Sequence, residues 1–432
     1  MKKVILIILC FIIFPLQAYS ATLKSALKLT YENNLELQAE RKNLDVQKEV
    51  LNISKSDFFP TMTLTGKKNF EDTNKLTNQS GGDASISDVN TLSSSIKIEQ
   101  TLLDGQGRDS EYEKSKLGLN LSEAQLIKKE QEIFLKAIES YTGLILVYEK
   151  LSINQENVNL LQRHFEIDNA RLGRGQITAT DLAQSQSSLA GAQAKYIDAQ
   201  NNIVTSKLNY ENIIGPINNQ EKLKKIYKSD VAIPSSLTEA MGISKNKSPE
   251  LIIADIEYGQ SELDVKIARS DLSPTAKLSL ERTYTDDLSS TYDEREKDVL
   301  QATVSWPFQF GGKNKSEVNK NLQVKGMKRL LLENSQRNNT QSVTVAWSTL
   351  ESSKSFLRAV QTQVKAAEIA NEGISYEYES GLNRSTFDVL QSRSNLINAK
   401  INLAEAERNY LLAQYKLLKS VGLLNSDYLK LK

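Results

Sequence analysis

The sequence has one cysteine and one histidine in 432 residues, and these two scarcities exclude most of the chemistry a chain this long could carry. Cys10 lies in an apolar run from Val4 to Leu16 that follows Lys2-Lys3 and precedes Gln17-Ala18-Tyr19-Ser20-Ala21. A basic start, a short apolar core and small residues at its end read as a secretory signal over 1–20, cut after Ala18 or Ser20. A retained anchor is the alternative, but the run is short for a bilayer-spanning helix of about 20 residues. Leu9 before the cysteine is too large for a lipoprotein cleavage site. The mature chain therefore has no thiol for a disulfide, a redox centre or a cysteine metal site. His164 has no partner of its kind and is read as a surface or seam residue, not a metal ligand or general base.

Other absences narrow the class further. Seven prolines and 19 glycines in so long a chain imply mostly helix, and 7% aromatics suit an elongated bundle more than a thick core. Lys and Arg number 54 against 53 Asp and Glu, so no charge excess points to nucleic acid or an acidic substrate. Lys222, Lys224, Lys225 and Lys228 are read as solvated. No apolar stretch after residue 20 is long enough for a transmembrane helix. Gly105-Gln106-Gly107 lacks the Gly-Lys-Ser of a phosphate loop, and no triad, paired-carboxylate or cofactor constellation is present. The chain is read as no enzyme, with no cofactor and no metal.

What is present is a helix written in sevens, twice. Leu182, Leu189, Tyr196, Ile203 and Tyr210 stand seven apart, with Ser185, Ala192, Ala199 and Ser206 three residues after the first four. Large and small residues alternate along one a/d seam, and the small ones let a neighbouring helix approach closely. The pattern returns 207 residues on, in Val389, Leu396, Leu403, Tyr410 and Leu417 with Ser392, Ala399, Ala406 and Ala413. A second register, offset by 214, matches Leu23, Ala26, Glu36, Leu37, Ser56, Asp57, Pro60, Thr61 and Leu64 to Leu237, Ala240, Glu250, Leu251, Ser270, Asp271, Pro274, Thr275 and Leu278. Nine identities in one ungapped register mark an internal duplication.

Each half reads in the same order. A helix over 22–57 stops at Pro60, and alternating runs at Thr61 to Phe70 and Ser95 to Leu102 flank a polar loop from Asp72 to Asn90. A long helix from about Asp109 to Leu172, keeping Ala137, Leu144, Leu151, Val158, Phe165 and Leu172 seven apart, reaches roughly 95 Å at 1.5 Å per residue. The second half repeats this with strands around Ala276 to Leu280 and Leu300 to Trp306, a helix from Lys313 to Ser380 and the second heptad helix. The boundaries are 1–20 signal peptide, 21–215 first repeat, 216–236 linker, 237–422 second repeat and 423–432 tail. The fold class is mainly α with a small β part.

Strands that are apolar on one face and polar on the other are the mark of a membrane barrel, with lipid outside and water inside. Four strands cannot close one, and an open edge in lipid leaves backbone groups unpaired at several kcal/mol each. Closure needs about eight strands; three copies give twelve and leave room for a pore. A half-buried soluble sheet is the alternative. Phe58, Phe59, Tyr284, Trp306, Phe308 and Phe310 at strand ends fit an interfacial girdle, and core packing explains them too.

With these features in place, the chain resembles the TolC-like family of outer-membrane efflux and secretion channels over essentially its whole mature length. The junctions Gln100 to Arg108 and Trp306 to Gly312, with Gly105, Gly107, Gly311 and Gly312, are similar to that family's. So are the tip turns Arg171 to Leu182, with Gly173 and Gly175, and Tyr378 to Leu390, with Gly381. The resemblance implies a homotrimer whose 12-stranded β-barrel crosses the outer membrane lipid and continues as an α-helical tunnel into the periplasm. A periplasmic adaptor (membrane fusion) protein and an inner-membrane transporter, proton-driven or ABC, are the implied partners, in an efflux pump or a type I secretion system. It also implies a gate in which Tyr378 and Arg384 hold the helices shut through Thr180 and Asp181, with Asp388 lining the constriction. The second tip has one more residue between glycine and aspartate than the first, so Asn383 or Arg384 is the locking residue; Gln391 stands where some members have a second ring aspartate. From the residues alone, Asp181 and Asp388 on first helical turns read equally as caps. A periplasmic coiled-coil adaptor or scaffold that never enters the membrane is the alternative function.

Overall fold

The computed structural model describes residues 22–72, 80–81, 90–217, 223–288, 293–308, 310–380 and 384–431. The signal segment with Cys10, most of the loop over 72–90, part of the linker and the turn residues Gly381 and Asn383 lie outside the described residues. The chain divides into two compact units, one from Met1–Gln38, Lys128–Ser248 and Thr340–Lys432, the other from Ala39–Ile127 and Pro249–Asn339.

The elements run in two parallel series. The first is α1 (Leu23–Asn33), α2 (Leu35–Ser56), β1 (Thr61–Lys68), β2 (Leu92–Leu103), α3 (Gly107–Gly173) and α4 (Ala179–Ile213). The second is α5 (Leu237–Lys247), α6 (Pro249–Ser270), β3 (Thr275–Asp286), β4 (Glu294–Ser305), α7 (Lys313–Glu379) and α8 (Thr386–Ser420). The helix expected over 22–57 is two helices. Asn34 leaves the helical region at ψ 122°, and its side-chain oxygen accepts from the Glu36 and Leu37 backbone N–H groups to start α2. The second half breaks at the matching place, where Ser248 takes ψ 117° ahead of Pro249. A residue before proline is disfavoured in the α region.

In the second unit the strands form one antiparallel sheet in the order β1-β2-β3-β4. The two hairpins thus lie side by side, joined through β2 and β3, which are far apart in the chain. Register aligns Met62 with Ile98, Ile98 with Leu280 and Leu280 with Leu300, an apolar row across all four strands. All four are exposed, Met62 by 71% and Leu300 by 72%. The opposite face carries Thr63, Lys97 and Glu281 in one row and Thr61, Glu99 and Ser279 in the next. Glu99 there pairs with Lys97 at 2.7 Å and with Lys277 at 2.9 Å. The apolar face ends where Ile96 aligns with Arg282, which pairs with Glu296 at 3.0 Å. Polar links tie the helices of this unit together: the Ser54 and Ser115 hydroxyls are 2.6 Å apart, and Lys114 meets Asp264 at 2.8 Å.

In the first unit, both heptad seams turn inward at their small residues: Ser185, Ala192, Ala199, Ser392, Ala399, Ala406 and Ala413 are all buried. Phe134, Tyr141 and Leu144 of α3 pack with Leu23 and Leu27 of α1, Tyr210 of α4 and Leu411 and Leu418 of α8. Leu424, Leu429 and Leu431 of the C-terminal tail belong to the same core. Ser426 anchors that tail by donating its backbone N–H to Glu130 at 3.1 Å. A smaller cluster of Leu161, Leu189, Ala192 and Leu390 lies between α3, α4 and α8. Lys225 is not simply solvated: half-buried, it bridges Glu149 and Glu407, each at 2.5 Å.

Candidate functional site

Heptad counting along α3 puts Asn154, Leu161 and Asp168 at the seam positions that face neighbouring helices, three residues after Leu151, Val158 and Phe165. The structure buries all three, and Asp168 is 0% exposed. A carboxylate stripped of water needs donors, and Asp168 takes them from two other helices. Tyr378 of α7 donates its hydroxyl to Oδ1 at 2.7 Å. Ser185 of α4 donates its own to Oδ2. With the phenol proton committed to Asp168, Thr386 of α8 donates to the Tyr378 oxygen across 3.1 Å. One carboxylate therefore ties together α3, α4, α7 and α8 where the paired helices turn. Burial, more than the Asp168 charge, pushes the Tyr378 phenol above its usual range, which keeps it a donor.

Two further α3 side chains complete the cluster. The Arg171 guanidinium lies over the Tyr378 ring at 4.3 Å, and its Nη2 donates to the Tyr378 carbonyl at 3.3 Å. His164 packs its ring 5.4 Å from that of Tyr378 and sets Nε2 3.4 Å from Asp168 Oδ2, without a hydrogen bond. The histidine is 8% exposed, a buried seam residue. Burial pushes its pKa down, with Arg393 and Arg171 adding to this and Asp168 opposing it.

The residues expected to form the lock are placed differently within one chain. Arg384 pairs with Glu377 at 2.6 Å. Thr180 is exposed in the first turn of α4. Asp181 and Asp388 each close a capping box, Asp181 with Thr178 and Asp388 with Ser385. Thr178 and Ser385 donate backbone N–H to those carboxylates at 2.9 Å and 3.0 Å. Tyr378 thus meets Asp168 and Thr386 here, not Thr180 or Asp181. Asp168 escapes motif reading because it lies three residues outside the tip motif; a charge at a seam position is the signal that could have found it. Gly173 and Gly175 lie in the first turn, exposed. Among the described residues no group of His, Cys, Asp and Glu is placed to hold a metal.

The outer membrane efflux protein profile matches residues 26–216 and 243–423, one copy in each half of the chain. The chain belongs to the outer membrane efflux protein family. Outer membrane efflux protein BepC of Brucella suis is 25% identical over 419 residues, covering 96% of this chain and 88% of that protein. Alkaline protease secretion protein AprF of Pseudomonas aeruginosa is 21% identical over 421 residues, covering 96% of this chain and 87% of its own. The outer membrane channel CmeC of Campylobacter jejuni superposes with a TM-score of 0.82 at 16% identity, over 93% of this chain and 86% of that one. The mainly helical fold with its small sheet is that of an outer membrane efflux protein.

For a member of this family the junctions between strands and helices are the second region of interest. Asp104 caps α3 by accepting from the Arg108 backbone N–H at 2.9 Å and pairs with the Arg108 side chain at 2.9 Å. Gly105 has φ +65°, and a Cβ there would stand 2.4 Å from Ser273 Cβ. Gly107 lies against the Ser270 hydroxyl, whereas Gly311 and Gly312 face open space. Beside them Phe59, Trp306, Phe308 and Phe310 are exposed, and the Trp306 and Phe308 rings are 5.0 Å apart. No helix among the described residues is long and apolar enough to cross a membrane.

Proposed function

We propose that three copies of this chain form a passive exit duct through the outer membrane, with the sheet as the membrane-crossing part and the helix turns as its gate. The observation that carries the proposal is the exposed row Met62, Ile98, Leu280 and Leu300, backed by a charged face, on a sheet whose edge strands β1 and β4 each leave their outer edge unpaired among the described residues. Lipid outside and water inside account for both faces at once. Edge pairing between copies satisfies the backbone groups that β1 and β4 leave open, and twelve strands close a barrel with a lumen. A soluble scaffold leaves that row in water with nothing over it.

In this reading residues 21–215 and 237–422 are two repeats of one unit, joined by a linker over 216–236. Thr180, Asp181, Tyr378, Arg384 and Asp388 serve the gate, with Thr180, Asp181 and Arg384 engaging a neighbouring copy. Asp388 combines its capping role with a place in a ring of three carboxylates around the axis, which attracts cations. Energy comes from an inner-membrane transporter, reached through a periplasmic adaptor. BepC is named an efflux protein and AprF an alkaline protease secretion protein, and the duct's cargo in this reading is small molecules or polypeptides.

Membrane fractionation, gel analysis of unheated and heated samples, and planar-bilayer recording test the proposal together. The expected result is an outer-membrane protein migrating as a heat-sensitive trimer and conducting ions. A soluble mature chain that migrates as a monomer overturns it.

A further inference from the structure

We propose that His164 makes the tip latch acid-sensitive: when its buried imidazole takes up a proton, Asp168 is drawn off Tyr378 and Ser185 and the helix pairs part. This rests on the gate reading of the tip. The geometry is specific. His164 Nε2 is buried with no hydrogen-bond partner, 3.4 Å from Asp168 Oδ2, an oxygen already occupied by Ser185. An imidazolium there must capture that oxygen, in competition with the serine, or remain a buried charge without an acceptor.

The surroundings do not welcome the charge. From α3 the histidine faces Asp168 and Arg171, from α7 Tyr378 and Glu379, and from α8 Arg393. Two arginines oppose two carboxylates, and one of those, Asp168, is already spent on two hydroxyl donors. An opened tip gives the imidazolium water instead. A histidine that holds its proton less well in the closed tip than in water shifts the tip toward the open state as pH falls through about 6.5. The cap carboxylates Asp181 and Asp388 are held below the usual range by hydrogen bonds from Thr178 and Ser385, so they keep their charge across this interval.

The test is the ratio of currents at pH 5.5 and pH 7.5 on the tip side of the full-length mature protein in planar bilayers. Wild type is expected to rise about tenfold, following the charged fraction of one histidine over that interval. His164→Gln and His164→Asn, each confirmed as a trimer on a gel, are expected to give a flat ratio whatever their current at pH 7.5. Equal ratios in wild type and both variants overturn the role of His164. Asp168→Asn separates the two levels. A higher current at pH 7.5 than wild type upholds the latch independently of the histidine, and an unchanged current overturns the latch and the acid response with it.

Discussion

Arg171 of α3 and Tyr378 of α7 stand in the last turns of the two long helices, and they touch: the guanidinium of one lies 4.3 Å over the ring of the other. The two long helices bring their last turns together and place a complementary pair there. The phenol is thereby clamped on its face by a cation and at its hydroxyl by Asp168 and Thr386. That double hold explains why Tyr378 is the centre of the tip cluster.

Tyr378→Phe removes the donor to a buried carboxylate, which costs about 1–3 kcal/mol in the closed arrangement. The closed-to-open ratio is expected to fall roughly ten- to hundredfold. Bilayer current at neutral pH and cell sensitivity to large antibiotics both read this, and both are expected to rise. Arg171→Gln is expected to act in the same direction but less, since a part-buried cation–π contact contributes about 0.5–2 kcal/mol.

Thr178→Ala and Ser385→Ala each remove a helix cap, at a cost of about 1 kcal/mol. Amide hydrogen exchange in the first turns of α4 and α8 is expected to speed up about fivefold, with the body of each helix unaffected. The partner carboxyls add a pH signature. Backbone N–H donation from Thr178 and Ser385 holds Asp181 and Asp388 below the ordinary 3.8. A carboxyl lowered in the folded state contributes stability that is complete above its unfolded value and is lost as pH falls through its folded value. The capping benefit is therefore expected to be intact at pH 5 and above and to fade below about pH 4.

Leu280→Arg places a cation in the exposed apolar row, and Ser279→Arg places it one residue away on the charged face. In lipid the first costs about 2–4 kcal/mol near mid-membrane, whereas the second points into water. The heat-sensitive trimer recovered from membranes is expected to drop sharply for Leu280→Arg and little for Ser279→Arg. Equal recovery contradicts the lipid-facing assignment of that row.

Gly105 and Gly311 occupy corresponding junctions but carry different constraints. Alanine at 105 must adopt φ +65° and bring a Cβ within 2.4 Å of Ser273, whereas at 311 it meets nothing within 4 Å. Gly105→Ala is expected to cost about 1–3 kcal/mol, lowering the yield of folded trimer. Gly311→Ala is expected to melt within a degree or two of wild type, as an unobstructed surface substitution does.

Much of this molecule is written in spacings that any local stretch can show. Period-two runs marked all four strands, and the seven-residue repeats marked α4, α8 and the long α3. The duplication supplied their order twice. The breaks at Asn34 and Ser248 were missed because apolar spacing continues across them; a side-chain cap and a following proline, both single-residue effects, interrupt the helix without disturbing the pattern. Lys225 was misjudged for a related reason, since exposure is set by which neighbours arrive, and the same fact decided between the surface and seam readings of His164. Tyr378 stood out in the tip motif, but its partner Asp168 looked like one more charge on a long polar helix.

The sequence by itself determined the kind and order of the elements and which face of the strands and heptad helices is apolar, because periodicity acts between residues a few places apart. Only the tertiary structure decided that Asp168, Ser185, Tyr378 and Thr386 meet. A buried carboxylate must find its donors wherever packing brings them, and here packing brings them from two helices, one of them more than 200 residues along the chain.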